Sequence, residues 1–251
     1  MAAMAEEGRG LADATVIVTG GASGIGRAIV DALVDVGARV IAWDIDGAQL
    51  ARCAARHGAA VHADVVDVAD PRAVDAAAAR LSGAFAPTHL VNNAGVIGKR
   101  MLFADMDPAE IDRVLAINLK SVLFCTRAFL SRRAPHASAA IVNLSSIAAR
   151  TGGMPGNALY AATKGAIASL TIAAAKELAP DVRVNALAPG IIDTPIQGDV
   201  FADRTEAGRI AKSIPLQRLG SPEEVAAAAL WLLSPAASYM TATVIDVAGG
   251  R

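Results

Sequence analysis

The chain has 251 residues, a length at which one α/β domain is common. Hydrophobic residues make up 54% and charged residues 19%, which suits a large buried core and excludes a disordered chain. Lys and Arg total 23 against 24 Asp and Glu, so the net charge of −1 offers no field to draw in nucleic acid or anionic lipid, and neither is expected as a partner.

From the N-terminus, Glu6 and Glu7 stand where a secretion signal needs positive charge, and no uninterrupted apolar stretch reaches the ~18 residues of a membrane helix. A cytoplasmic protein with no membrane partner is the expectation. Runs rich in Val and Ile then alternate with segments of helical period. Strands are expected at 14–19, 39–44, 60–64, 89–92, 139–145, 183–188 and 243–247, and helices at 26–36, 70–81, 108–131 and 158–178. Asp107-Pro108 and Ser221-Pro222-Glu223-Glu224 read as helix starts. This alternation predicts a doubly wound α/β Rossmann fold, a seven-stranded parallel sheet with helices on both faces, in a single domain spanning 1–251. Residues 191–220 break the rhythm with Pro195, Gly198, Gly208 and Pro215, and are expected to form a substrate lid. Cys53 and Cys125 have no metal-ligand spacing, so reduced core thiols and no metal site are expected.

The first strand ends in Thr19-Gly20-Gly21-Ala22-Ser23-Gly24-Ile25-Gly26 and runs into helix, the context of a phosphate-binding turn. Gly20 permits the turn, Gly24 lets backbone approach a pyrophosphate, and Gly26 lets helix and strand pack closely. A glycine-rich turn without a ligand is the alternative. Asp44 ends the second strand, where a carboxylate accepts hydrogen bonds from ribose hydroxyls and repels a 2′-phosphate, favouring NAD over NADP. A helix-capping role is open to Asp44 and equally to Asp46. Ser23 puts no basic side chain in the turn to welcome an extra phosphate.

Tyr160 and Lys164 stand four apart in a segment of helical composition and share a face. A neighbouring ammonium lowers the pKa of a phenol, which makes the pair a candidate acid/base. Ser145 and Ser146 follow an apolar strand at the edge where such sheets bind ligands, and either hydroxyl can hold a substrate carbonyl. Asn118 is a poor helix former inside a helical run, with a side chain suited to holding a water in a proton path.

Taken together, these features resemble the short-chain dehydrogenase/reductase family over almost the whole chain. The marks are Thr19-Gly20 with Gly24 and Gly26, Asp64, Asn92-Asn93-Ala94-Gly95, Asn118, Asn143-Leu144-Ser145-Ser146, Tyr160 with Lys164, and Pro189-Gly190 with Thr194. The resemblance implies that Asp64 and Val65 flank the adenine, that Asn93 and Ala94 contact the cofactor ribose, and that Ile192 and Thr194 meet the carboxamide. It also implies a catalytic tetrad of Asn118, Ser146, Tyr160 and Lys164. The spacing from Ser146 to Tyr160 is one residue longer than the family pattern, which points to an insertion in 152–157. Thr241-Ala242 and Ala248-Gly249-Gly250 also depart from its C-terminal pattern.

The expected function is hydride transfer between NAD(H) and a small-molecule secondary alcohol or ketone, with Tyr160 as general acid/base. The rival is a protein that senses NAD and binds a partner without turnover. Val96, Ile97, Ile147, Met154, Leu159, Ile191, Ile196 and Gln197 are the candidate substrate-facing residues. The resemblance and the Ala-rich segment 158–178 suggest a homotetramer, with a homodimer as the alternative.

Overall fold

A computed structural model of the chain describes residues 10–135, 138–194 and 204–251. Its strands are β1 (Thr15–Thr19), β2 (Arg39–Asp44), β3 (Val61–Val65), β4 (His89–Asn92), β5 (Ala139–Leu144), β6 (Val182–Pro189) and β7 (Val244–Val247). All pair in parallel, in the order β3-β2-β1-β4-β5-β6-β7. The helices are α1 (Gly24–Asp35), α2 (Gly47–His57), α3 (Pro71–Ala79), α4 (Pro108–Leu115), α5 (Ser121–Arg132), α6 (Ala148–Thr151), α7 (Ala158–Leu178), α8 (Arg204–Lys212) and α9 (Pro222–Leu233).

Alternation along the central strands explains the two helical layers. Val16 and Val18 of β1 pack with Ile29 and Leu33 of α1 and Leu230 of α9, whereas Ile17 belongs with Trp43, Val74 of α3 and Phe129 of α5. Both faces are dry, so these strands read as continuous apolar runs. Chain order reverses beside β1, whose neighbours are β2 on one side and β4 on the other. The loops leaving β1 and β4 at their C-terminal ends therefore diverge and open a crevice, the usual ligand position in an open parallel sheet.

One expectation is corrected by the local backbone. The helix foreseen over 108–131 is interrupted by a π turn, Ala116–Lys120, which contains Asn118; such turns concentrate at functional sites. Residues 204–212 of the foreseen lid are helical, with Gly208 inside α8. Pro195, Ile196, Gln197 and Gly198 lie outside the described residues. In the turn expected to carry an insertion, Gly152, Gly153 and Gly156 all take left-handed φ, 78°, 72° and 85°. The helix α7 has the length and mean hydropathy, 1.3, of a membrane span. It nevertheless carries Lys164 and buries Ile167, Thr171 and Ala175.

Candidate active site

The turn after β1 is sewn to the end of β4. Thr19 Oγ1 accepts hydrogen bonds from the Asn93 and Ala94 amides at 3.0 and 3.1 Å. The Asn93 side chain answers by donating to the Thr19 and Gly20 carbonyls at 2.9 and 3.1 Å. Gly26 sits so close beneath this turn that a Cβ there would collide with the Gly20 carbonyl and lie 2.5 Å from Asn93 Nδ2. Gly20 itself has φ of 65°, a left-handed conformation that a side chain would strain. Ser23, at the N-cap of α1, places no side-chain oxygen on the first amides of the helix. Those amides and the positive end of the helix dipole suit a phosphate.

Asp44 stands beside this turn. One carboxylate oxygen accepts the Ala22 amide at 2.9 Å and the other the Asp46 amide at 3.0 Å. The helix-capping role belongs to Asp46, whose Oδ1 accepts from Ala48 and Gln49 at 3.0 Å. Each Asp44 oxygen retains a lone pair for a further donor.

A cavity of about 340 Å³ runs along the crevice. One end is lined by Asp44 and Ile45, the middle by Gly20, Ser23, Gly24, Ile25 and the Asn93-Ala94-Gly95 segment, and the other end by Ser146, Tyr160 and Lys164. Pro189, Gly190, Ile192 and Thr194 complete that last wall. An elongated cleft with backbone donors in the middle and a carboxylate at one end fits a dinucleotide.

At the reacting end, the two candidate serines separate. Ser145 Oγ donates to the Lys164 carbonyl at 2.8 Å and so ties β5 to α7. Ser146 Oγ accepts the Ala148 amide at 3.1 Å, donates to the Pro189 carbonyl at 3.5 Å, and lines the cavity together with Tyr160. Lys164 is buried, and its ammonium donates to the Leu144 carbonyl at 2.7 Å while lying 5.7 Å from the centre of the Tyr160 ring. Burial pushes Lys164 down to about 8. The expected lowering of Tyr160 by Lys164 is not what the geometry produces. Burial raises the phenol, and the neighbouring Ser146 hydroxyl works the other way.

A family model described as enoyl-(acyl carrier protein) reductase matches residues 20–251. The chain is 41% identical to galactitol 2-dehydrogenase (L-tagatose-forming) from Cereibacter sphaeroides, over 94% of each protein. It is 38% identical to acetoacetyl-CoA reductase from Synechocystis sp., covering 96% of this chain and 98% of that one. Among solved structures, 3-ketoacyl-(acyl-carrier-protein) reductase from Brucella melitensis, complexed with NADH, superposes with a TM-score of 0.88 at 35% identity, covering 95% of this chain and 98% of that one. The chain belongs to the short-chain dehydrogenase/reductase family. It is an oxidoreductase of the class that acts on CH–OH groups with a nicotinamide cofactor.

Four residues that the family resemblance had assigned to this site do not reach the cavity of this dehydrogenase/reductase. Strand β3 continues to Val65, so the residues beyond its edge that line the cleft are Val66, Asp67 and Val68. Asp64 instead meets Arg80 at 3.1 Å and His62 at 3.3 Å, and Val65 lies against Gly47. Asn92 is the last residue of β4 and donates to Asn143 Oδ1 at 2.8 Å and Thr126 Oγ1 at 3.3 Å, which joins the strand to β5 and α5. Asn118 is fully buried: Oδ1 accepts the Val96 amide, and Nδ2 donates to the Val96 carbonyl and to Thr163 Oγ1, at 2.8, 2.8 and 3.1 Å. Its side chain has no donor left for a water, and what it orients is Val96.

Of the candidate substrate-facing residues, Val96 and Ile97 line the cavity, while Ile147, Met154, Leu159 and Ile191 do not. The sequence reading missed Ile45, Asp67 and Ile117, which do line it, and gave Thr19 no role beyond the motif. The acid that lines the cleft, Asp67, stands three residues beyond Asp64, and strand ends are blurred in a run as uniform as Val65-Val66.

Proposed function

We propose that the chain interconverts a secondary alcohol and a ketone with NAD(H), with Tyr160 as general acid in reduction and general base in oxidation. The observation that carries this reading is the convergence of Ser146, Tyr160 and the buried Lys164 at the end of a cleft that continues to the glycine turn and Asp44.

The bound nicotinamide supplies the two-electron hydride exchange. Residues of the chain bind it and manage the proton. The α1 amides near Ser23, Gly24 and Ile25 hold phosphate, Asp44 holds the adenosine ribose, and Lys164 holds the nicotinamide ribose. Ile192, Thr194, Pro189 and Gly190 close the carboxamide side. Ser146 Oγ orients the substrate oxygen, and Tyr160 Oη gives or takes its proton. At neutral pH Lys164, with a pKa of about 8, remains mostly protonated and keeps its positive charge beside the phenol. Asn118 acts through Val96 rather than through a water on its side chain.

NAD is favoured over NADP because a 2′-phosphate would meet the Asp44 carboxylate, a like-charge contact. The substrate wall formed by Val96, Ile97 and Ile117 is apolar, which favours an uncharged alcohol or ketone skeleton. The remaining parts of the reading are a single domain over 1–251, 191–220 as the substrate lid, and a cytoplasmic homotetramer with no nucleic-acid or membrane partner. Exposed Leu123 on α5 and Ile172 on α7 support helix pairing between subunits. A screen for NADH formation over secondary alcohols, polyols and 3-hydroxyacyl thioesters tests the proposal. Turnover that disappears in Tyr160→Phe is expected, and NADH binding with no turnover of any panel member would favour the non-catalytic rival.

A further inference from the structure

The loop from Val96 to Met101 lines the cavity through Val96 and Ile97, and it is pinned at both ends of a short span. At Val96 the pin is the Asn118 amide. Three residues on, the Lys99 amide donates to Glu110 Oε1 at 2.8 Å. Glu110 lies on α4, and its residue surface is only 5% exposed, which is rare for a carboxylate unless it is paired. Arg113, one turn along the same helix, grips both of its oxygens, Nε to Oε2 and Nη2 to Oε1, each at 2.7 Å. The carboxyl is thereby held down at about 2, first by Arg113 and then by the Lys99 amide.

Between the pins the loop lies directly on α4. A Cβ on Gly98 would stand 2.7 Å from Val114 Cγ2 and 3.1 Å from Glu110 Oε1, and Gly98 has φ of 80°. Beyond them, the Met101 amide donates to the Gly156 carbonyl at 3.0 Å, which joins the loop to the turn after α6. The one large side chain left between the pins and facing the cavity is Ile97. Nothing about Glu110 touches the reacting end, where Ser146, Tyr160 and Lys164 stand.

We propose that Glu110, locked by Arg113, is a positioning residue that sets the place of Ile97 and so selects substrates by the size of their apolar skeleton. This rests on the oxidoreductase reading above and deepens it. The Arg113 fork fixes the orientation of the carboxylate, the carboxylate fixes the Lys99 amide, and the Gly98 contact fixes the height of the loop over α4. An apolar pocket separates substrates differing by one methylene by about 10–200-fold, so a small displacement of Ile97 is enough to change which alcohol fits. Cofactor binding draws on the other walls and is unaffected.

The test uses two variants of the full chain that disturb the same contact from opposite sides. Glu110→Gln keeps an oxygen for the Lys99 amide but weakens the Arg113 fork, and Gly98→Ala pushes the loop off α4 while leaving Glu110 intact. NADH affinity is read by fluorescence, hydrogen exchange is followed in peptides covering 96–102, and kinetics use the smallest and largest alcohols that the parent oxidises. The expected result is faster exchange in the loop and NADH affinity within about twofold. The ratio of KM values for large and small alcohols should shift about tenfold, with kcat within about threefold. The double variant should exceed neither single change by much, because both break one contact. An unchanged KM ratio with faster loop exchange would reduce Glu110 to a structural anchor and overturn the proposal. If the parent oxidises no alcohol, the catalytic reading fails instead, and the exchange measurement still decides: unchanged loop exchange in both variants refutes the positioning contact itself.

Discussion

Lys164→Met should make the protein more stable at neutral pH while abolishing its chemistry. Lys164 is buried, and its pKa falls from 10.5 to about 8 on folding. A shift of that size corresponds to about 3 kcal/mol lost at pH 7, where the charge must be taken into the interior. Methionine fills similar volume without the charge. Against this gain stands the bond from Nζ to the Leu144 carbonyl, whose loss leaves a buried acceptor and costs about 1–2 kcal/mol. The net stabilisation is about 1–2 kcal/mol, or a rise in Tm of roughly 2–8 °C for a chain of this size. The sign follows from linkage. A cation whose folded pKa is depressed contributes more stability above its unfolded value and loses it as pH falls towards the folded one. The advantage of the variant should therefore be flat below pH 8, shrink between 8 and 10.5, and reverse beyond. Urea unfolding of parent and variant at several pH values measures that difference directly. A variant less stable than the parent by the same amount at pH 7 and pH 10 would show that Lys164 bears no burial cost.

Three other outcomes are expected. Tyr160→Phe should lower kcat by about 10²–10⁴ with NADH affinity nearly unchanged, since only one hydroxyl leaves the proton path; turnover within about tenfold of the parent would refute the assignment. NADH should bind more tightly than NADPH in fluorescence titrations, and Asp44→Ala should narrow the gap at least about tenfold by removing a like-charge contact; equal affinities in the parent would take Asp44 out of the role. His89 is buried beside Arg183 and pushed down to about 4, chiefly by burial. Its depressed value makes stability fall as pH drops from the unfolded value of 6.5 towards 4, by about 3 kcal/mol in all; His89→Gln should lack that loss in acid unfolding curves, and parallel curves would refute it.

Much of the architecture is legible without coordinates because it depends on local patterning. Alternating dry strands and amphipathic helices are written in short windows, as in Val16, Ile17 and Val18, and a doubly wound sheet is the arrangement that buries both faces of such strands. The glycine turn is legible for the same reason: the left-handed φ of Gly20 and the Gly20 carbonyl pressed on Gly26 are demands set within eight residues of chain. The pair Tyr160 and Lys164 is visible as one helical turn.

What only the folded chain decides is which of two neighbouring groups does a given job. Ser145 and Ser146 are chemically identical, and the fold separates them: Ser145 spends its proton on the Lys164 carbonyl of α7, whereas Ser146 accepts the Ala148 amide and stands in the cleft with Tyr160. Asp44 and Asp46 divide between the cleft and the α2 cap according to where the helix starts. Strand β3 holds Asp64 and Val65 within the sheet, and the cleft is lined instead by Val66, Asp67 and Val68 beyond its end. The titration of the Tyr and Lys pair also follows burial more than spacing, because desolvation is a property of everything packed around a group. Glu110 and Lys99 stand 11 residues apart, and their contact exists because a loop folds back over α4, a long-range event that no local pattern of charge or period encodes.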